Sequence, residues 1–598
     1  MHDIAQLGLP TLQNLSQAYR DASLTASDCI KNLLQHIKNT DRPEIWITRV
    51  DDSALLARAA ECDLLLKQEG ASVFDRYPLF GIPFAVKDNI DAAGLPTTAA
   101  CPAFSYVPEY SSTVVKLLVE AGAILIGKTN LDQFATGLVG VRSPYGAVRN
   151  AVAPEYVSGG SSSGSGAAVA LGLVAFSLGT DTAGSGRVPA GLNGIVGLKP
   201  SRGLISAHGV VPACRTLDCV SIFTKTVGDA WTVLRVAGQY DAADAYSRKI
   251  AMTGMQCRRY RIAIPSELEF YGDAHAEAAF NKTLEKLKAL PHVECKAIDF
   301  KVFAQAAALL YQGPWVAERL AAVGDFFNSH EKDMHTVVAG IIEQGKNYDA
   351  VDTFNAMYQL ADLRRAAETS LQDVDFLLVP TTPTMPKIAA VEADPVRLNS
   401  QLGYYTNFVN FFDMAALSVP ADYRADGLPA GVTLIAGSGT DQLLAAAAQA
   451  LLPYKEDVAV AGRPLSFHEA TIELAVVGAH LEGQPLNWQL LERGARKVKS
   501  TRTSARYRLT ALPDTIPPKP GLARVAKDGA AIEIEIWKMP VRRFGEFVAD
   551  VPAPLAIGTL EVEDGRWVKG FVCEPAALEG AKDISHHGGW RAYLASKG

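Results

Sequence analysis

Apolar and polar residues follow different rhythms in two parts of the chain. Over residues 1–450, helix-like and strand-like stretches alternate. Thr113–Ala121 carries a helical spacing of apolar positions and Ala123–Ile126 reads as a short buried strand. Ser163–Leu173 holds small, helix-compatible residues, and Val174–Thr180 reads as the next strand. This alternation predicts an α/β core around a mixed sheet. Residues 250–370 look more helical, as in Ala304–Leu310 and Val316–Phe327, and are expected to form a helical cap. Beyond residue 471 the pattern changes to strands, at 472–478, 531–539 and 555–574. The intervening stretch is polar and contains proline, so it predicts a boundary. The expected organisation is a first domain over 1–455, a linker over 456–470 and a smaller α+β domain over 471–598.

Charge follows the same division. The second part has 18 Lys and Arg against 15 Asp and Glu, a net +3, while the remainder is at −10. The formal net charge of −7 argues against nucleic-acid binding driven by bulk positive charge. The second part does carry a basic cluster, Arg493 to Arg508, which reads as a solvated surface. Eight scattered cysteines without a CxxC pair form neither a disulfide framework nor a zinc pattern, and no metal or other cofactor is expected. Residues 1–20 lack a basic stretch followed by an apolar core, and Ala167–Gly179 is too short to span a bilayer, so a cytoplasmic protein without membrane contact is expected.

Two single motifs fail on context. Gly122-Ala-Ile-Leu-Ile-Gly-Lys-Thr129 fits a P-loop, but its middle residues favour a buried strand rather than an open phosphate cradle. Gly160-Ser-Ser-Ser-Gly164 fits a nucleophile elbow, yet no apolar strand precedes it.

Read jointly, three segments are far more informative. They are Pro83-Phe-Ala-Val-Lys87, Gly159-Gly-Ser-Ser-Ser-Gly-Ser-Gly166 and Gly179-Thr-Asp-Thr-Ala-Gly-Ser-Gly-Arg187. A serine hydroxyl needs a base, these segments hold no histidine, and a buried lysine can serve when neutral. With Gly127-Lys-Thr-Asn-Leu-Asp132, Leu378-Val-Pro-Thr-Thr-Pro383 and Gly427-Leu-Pro-Ala-Gly431, they resemble the amidase signature family over most of residues 1–450. The resemblance implies a mixed central sheet flanked by helices. It casts Ser185 as nucleophile, Ser161 as proton relay following a cis Gly160–Ser161 peptide, and Lys87 as base. Backbone amides of Thr182, Ala183, Gly184 and Ser185 would form the oxyanion hole, braced by an Asp181–Arg187 pair. Ala183 and Gly186 depart from the commoner Gly-Gly-Ser-Ile-Arg of the family and point to a branch with its own pocket.

The second part narrows the branch. Ala475-Val-Val-Gly-Ala-His480-Leu and His586-His-Gly-Gly-Trp590, with Phe134-Ala-Thr-Gly-Leu-Val-Gly140, resemble the allophanate-hydrolysing branch of the family. That resemblance implies conversion of allophanate, a small N-carboxylated urea, to ammonia and carbon dioxide. It also implies a urea carboxylase as a separate partner, since no biotin-attachment motif is present, and a homodimer. A carboxylated substrate needs a cation, and Tyr311 and Arg319 take that role by resemblance. The bland alternative pairs Arg319 with Glu318 or Asp325. Outside this branch, the alternatives are an amidase for another small amide or an inactive scaffold. The smaller domain resembles the γ-glutamyl cyclotransferase-like fold, with His480 in a turn after its first strand. Whether that domain catalyses a second, decarboxylating step or is structural stays open.

Overall fold

The computed structural model describes residues 8–250, 259–452 and 471–597, so the expected linker over 456–470 lies outside the described residues. Two compact units are present, one ending at residue 452 and one beginning at residue 471.

The first unit is built on eleven strands: β1 Trp46–Arg49, β2 Pro83–Lys87, β3 Ile124–Thr129, β4 Phe176–Asp181, β5 Val196–Lys199, β6 Cys219–Thr224, β7 Tyr260–Pro265, β8 Val293–Ile298, β9 Phe376–Pro380, β10 Met414–Pro420 and β11 Gly431–Gly437. They form one sheet in the order β1-β3-β2-β4-β6-β5-β10-β11-β9-β7-β8. The sheet is mixed. β2 runs parallel to both β3 and β4, whereas β4–β6 and β10–β11 are antiparallel. Central strands such as β2 and β4 are buried at every residue, as strands covered on both faces are.

The Gly/Ser-rich stretch is no linker. Its small residues form helix α1, Ser163–Ala170, and all but the last are buried. Small side chains let this helix press against neighbouring backbone. Gly122–Thr129 is a turn running into β3, with no open phosphate loop.

The expected helical cap requires a correction. Residues 260–298 supply β7 and β8 at one edge of the sheet, with the helix Ala274–Lys288 between them. Edge strand β8 has only half-buried or exposed residues before the buried Ile298, so its apolar signal is weak. The continuous helical part starts with α2, Lys301–Gln312, and α3, Trp315–His330.

In the second unit, five strands form one sheet: β12 Thr471–Val476, β13 Arg496–Arg502, β14 Glu533–Pro540, β15 Leu555–Glu561 and β16 Trp567–Cys573, in the order β13-β14-β12-β16-β15. Its core gathers Leu474, Val476, Ile534, Ile536, Trp537 and Trp590. Much of the basic cluster pairs with acids of this same unit: Lys497 with Glu482 and Glu535, Lys499 with Asp564, and Arg508 with Asp583. No described helix is long and apolar enough to cross a membrane.

Candidate active site

Lys87 ends β2, which lies between β3 and β4 inside the sheet, and is completely buried. Parallel pairing with β4 brings Thr180 alongside it. The Lys87 Nζ lies 2.8 Å from Ser161 Oγ and 2.7 Å from Thr180 Oγ1. Burial pushes the lysine down to about 7, against the opposing pull of Asp132, Asp218 and Asp181, while Arg319 adds to the depression. Close to half of such a population is neutral at pH 7, and the neutral amine can accept a proton.

Ser161 follows Gly160 through a cis peptide, and its Oγ lies 2.9 Å from Ser185 Oγ. Two heavy-atom contacts thus join lysine, relay serine and second serine into one buried chain. Gly160 leaves room for the Asp132 carboxylate, since a Cβ there would come within 2.1 Å of its Oδ2. Asp132 accepts the amides of Val139, Gly140 and Arg142, and its own amide donates to the Ser161 carbonyl. This carboxylate holds the loop around the relay serine.

Ser185 sits in the turn after β4. Asp181 organises that turn by accepting from the Gly184 and Gly186 amides at 2.9 and 3.0 Å and from Arg187 Nε and Nη2 at 2.9 and 2.8 Å. Burial alone would raise the Asp181 carboxyl, but Arg187, helped by Lys199 and the Gly186 amide, holds the group below its ordinary range. The expected oxyanion set therefore needs one correction. The Gly184 amide is committed to Asp181 and cannot serve. Among the described residues, nothing accepts from the amides of Thr182, Ala183 or Ser185. Gly184 is still required: its φ is +142°, and a Cβ would meet Thr406 Oγ1 at 2.4 Å.

Arg319 lies in α3, and its guanidinium stands 5.4 Å from the centre of the Tyr311 ring. Tyr311 lies in the last turn of α2, just before the helix that holds Arg319, and Pro314 caps α3. Arg319 is 2 % exposed, yet among the described residues no carboxylate lies within 4.0 Å of it. Its Nη1 donates to Thr136 Oγ1 at 3.1 Å, and its buried Nε has no partner. The neighbouring Glu318 turns away to accept from the Thr216 amide and hydroxyl, both at 2.8 Å. Burial works against its charge, but Cys214, Tyr311, Asp218 and Glu318 nearby more than offset this and raise its pKa. Among the described residues no carboxylate pairs with it directly, and a buried cation without such a partner is costly unless something arrives to pair with it.

Four contributors went unassigned in the sequence: Thr180, Asp132, Thr136 and Asp218. The Thr182 hydroxyl donates to Asp218, which also accepts the Ala213 amide at 2.9 Å. Thr180, Asp132 and Thr136 all lie inside the motifs quoted above, so proximity in sequence was the available signal. Their contacts were not.

His480 belongs to the second unit, in the turn after β12. Its Nε2 is 2.8 Å from Gln489 Oε1, and its ring stacks on Phe571 at 4.8 Å. Burial, with Lys519 and Arg493 nearby, pushes it down to about 4. It lines a cavity of about 190 Å³ with Gly478, Lys519, Phe547 and Phe571. No group of three or more His, Cys, Asp or Glu converges as a metal cage among the described residues.

A Ser–Ser–Lys chain beside a carboxylate-braced turn of free amides defines a serine amidase site, and comparison with known proteins agrees with that class. The family model described as Amidase matches residues 28–445, and the chain belongs to the amidase family. The model described as allophanate hydrolase C-terminal domain matches residues 472–595. The chain is similar to the solved allophanate hydrolase of Kluyveromyces lactis, at 40% identity with a TM-score of 0.84, covering 98% of this chain and 99% of that one. It is also similar to the urea amidolyases of Lachancea kluyveri, 44% identical over 94% of this chain, and Saccharomyces cerevisiae, 43% identical over 98%. It spans about a third of the length of these two curated relatives, 32% and 33% respectively.

Proposed function

We propose that this protein hydrolyses allophanate. The observation that carries the reading is Arg319, a buried guanidinium with no carboxylate partner in the same site as a Ser–Ser–Lys chain. The substrate carboxylate supplies the missing charge, held by the Arg fork over the Tyr311 ring.

Neutral Lys87 takes the proton of Ser161 as Ser161 takes that of Ser185. The Ser185 Oγ then attacks the carbamoyl carbonyl. The tetrahedral oxyanion is received by free amides of the Thr182–Ser185 turn. Collapse breaks the carbon–nitrogen bond, and the leaving amine regains the proton through Ser161 and departs as ammonia. Water, deprotonated along the same relay, cleaves the acyl-enzyme and releases N-carboxycarbamate. That product falls to carbon dioxide and ammonia, so both nitrogens end as ammonia.

For the second unit, we infer that the cavity around His480 receives this dianion. The support is a neutral imidazole beside Lys519, a cation lining the same cavity. We further propose that its substrate comes from a urea-carboxylating enzyme, a reading the urea amidolyase relatives support, and that the protein works as a cytoplasmic homodimer.

The test supplies purified protein with allophanate, biuret and simple amides, counting ammonia and carbon dioxide. Preferred turnover of allophanate supports the reading. Equal turnover of uncharged amides would overturn it.

A further inference from the structure

The guanidinium of Arg319 is aimed by a residue of the Phe134–Gly140 motif, in a role that the motif itself does not announce. Its only hydrogen bond among the described residues runs from Nη1 to the hydroxyl of Thr136, which is 1 % exposed. That hydroxyl also lies 3.2 Å from the Phe134 carbonyl, to which it donates. With its proton committed to Phe134, the oxygen presents a lone pair to Arg319 and nothing else. The Thr136 carbonyl is pinned separately, accepting from Arg142 Nη1 at 2.9 Å.

The backbone leading to this threonine is unusual. Phe134 and Ala135 are consecutive non-glycine residues with φ of +49° and +52°. Such conformations are unfavourable for L-residues and persist where surrounding structure enforces them, often at ligand clamps. Here the Phe134 ring is locked into an apolar cluster. It packs with Val323 and Phe327 and lies 5.8 Å from the Phe326 ring. All three belong to α3, the helix that carries Arg319. One helix therefore fixes both the arginine and the carbonyl that orients its partner hydroxyl. The orphaned Nε and the remaining Nη2 are left for a ligand.

We propose that Thr136 is a specificity-positioning residue, holding the Arg319 fork in the orientation that receives the substrate carboxylate. This rests on the reading of Arg319 given above. Thr136 touches no reacting atom, and its effect passes entirely through the arginine.

The experiment measures kcat and KM for allophanate and for an uncharged amide in full-length Thr136→Val, Thr136→Ser, Arg319→Ala and the Thr136→Val/Arg319→Ala double variant. Valine keeps the shape and removes the hydroxyl. A hydrogen bond to a charged group sets the scale, so Thr136→Val is expected to raise KM for allophanate about 10-fold with kcat within about 2-fold. Serine should restore most of the loss, uncharged-amide turnover should not change, and valine should add nothing once Arg319 is gone. Wild-type KM in Thr136→Val, with Arg319→Ala impaired, overturns this proposal alone. So does a KM loss that persists in the double variant, or an equal loss with the uncharged amide. Unchanged KM in Arg319→Ala overturns the underlying reading and this one together. If Thr136→Val does not fold, Thr136→Ala provides the same readings.

Discussion

A buried catalytic lysine should weaken the fold that houses it, and the size of that effect follows from its environment. Lys87 is displaced from an ordinary value of 10.5 to about 7. At about 1.4 kcal/mol per pH unit, this costs the folded state about 4–5 kcal/mol wherever the unfolded lysine is charged and the folded one resists charging. The sign is set by proton binding. Between pH 7 and 10.5 the unfolded chain holds the proton and the folded chain does not, so wild-type stability rises with pH across that window. Below pH 7 the full cost is present, and above 10.5 it is gone. Lys87→Met removes the titrating group and keeps most of the volume. It also strands the Thr180 hydroxyl, which loses a 2.7 Å partner, at a cost of about 1–3 kcal/mol. The variant should therefore be more stable than wild type by about 2–3 kcal/mol at pH 7 and less stable at pH 10.5, with the sign changing between them. Urea unfolding followed by tryptophan fluorescence at several pH values reads this difference directly, because all other groups titrate alike and cancel. The same variant should lose ammonia release by at least about 10³-fold. A Met variant less stable at pH 7, with a gap that does not move with pH, would refute the buried-neutral-lysine argument.

The remaining expectations concern the site and the domain division. Wild-type kcat/KM should fall about tenfold per unit as pH drops below 7 and Lys87 protonates, and a flat profile down to pH 5 would count against it as the base. Ser185→Ala should abolish ammonia release in a protein that melts normally, since the relay then ends on no nucleophile; wild-type turnover there sinks the assignment. Arg319→Ala should raise KM for allophanate by about 2–5 kcal/mol in transition-state terms and Arg319→Lys should recover only part, with comparable losses on neutral amides as the contrary result. Asp181→Asn should destabilise the first unit by about 3–5 kcal/mol, because it leaves the buried Arg187 uncompensated; an unchanged urea midpoint would contradict that. A chain ending at residue 465 should still release the first ammonia, and a folded but inactive product would show that the second unit belongs to the amidase site.

The local chemistry of this protein was legible along the chain because it resides in short ordered motifs. Lys87 closing an apolar strand, the Gly/Ser run around Ser161 and the turn bearing Ser185 each announce a residue type and a local backbone. The tail's strand-rich rhythm likewise marks a second unit. Contacts between distant segments were not legible. Periodicity shows that β2 and β4 are buried, but only their parallel pairing places Thr180 against Lys87. The turn's glycines advertise free amides, yet only the fold of Asp181 back onto the Gly184 amide withdraws one of them. Weak alternation at an exposed edge concealed β8 within a stretch that reads as helix. Arg319 shows the difference most clearly. Its sequence neighbours Glu318 and Asp325 are the acids the chain offers nearby, although at i−1 and i+6 neither stands at the three- or four-residue spacing of a helical ion pair. The tertiary structure instead gives Glu318 to Thr216 and Arg319 to Thr136, 183 residues away. Local propensity and burial are functions of nearby sequence, whereas the pairing of a buried charge depends on which distant segments the packed core brings together.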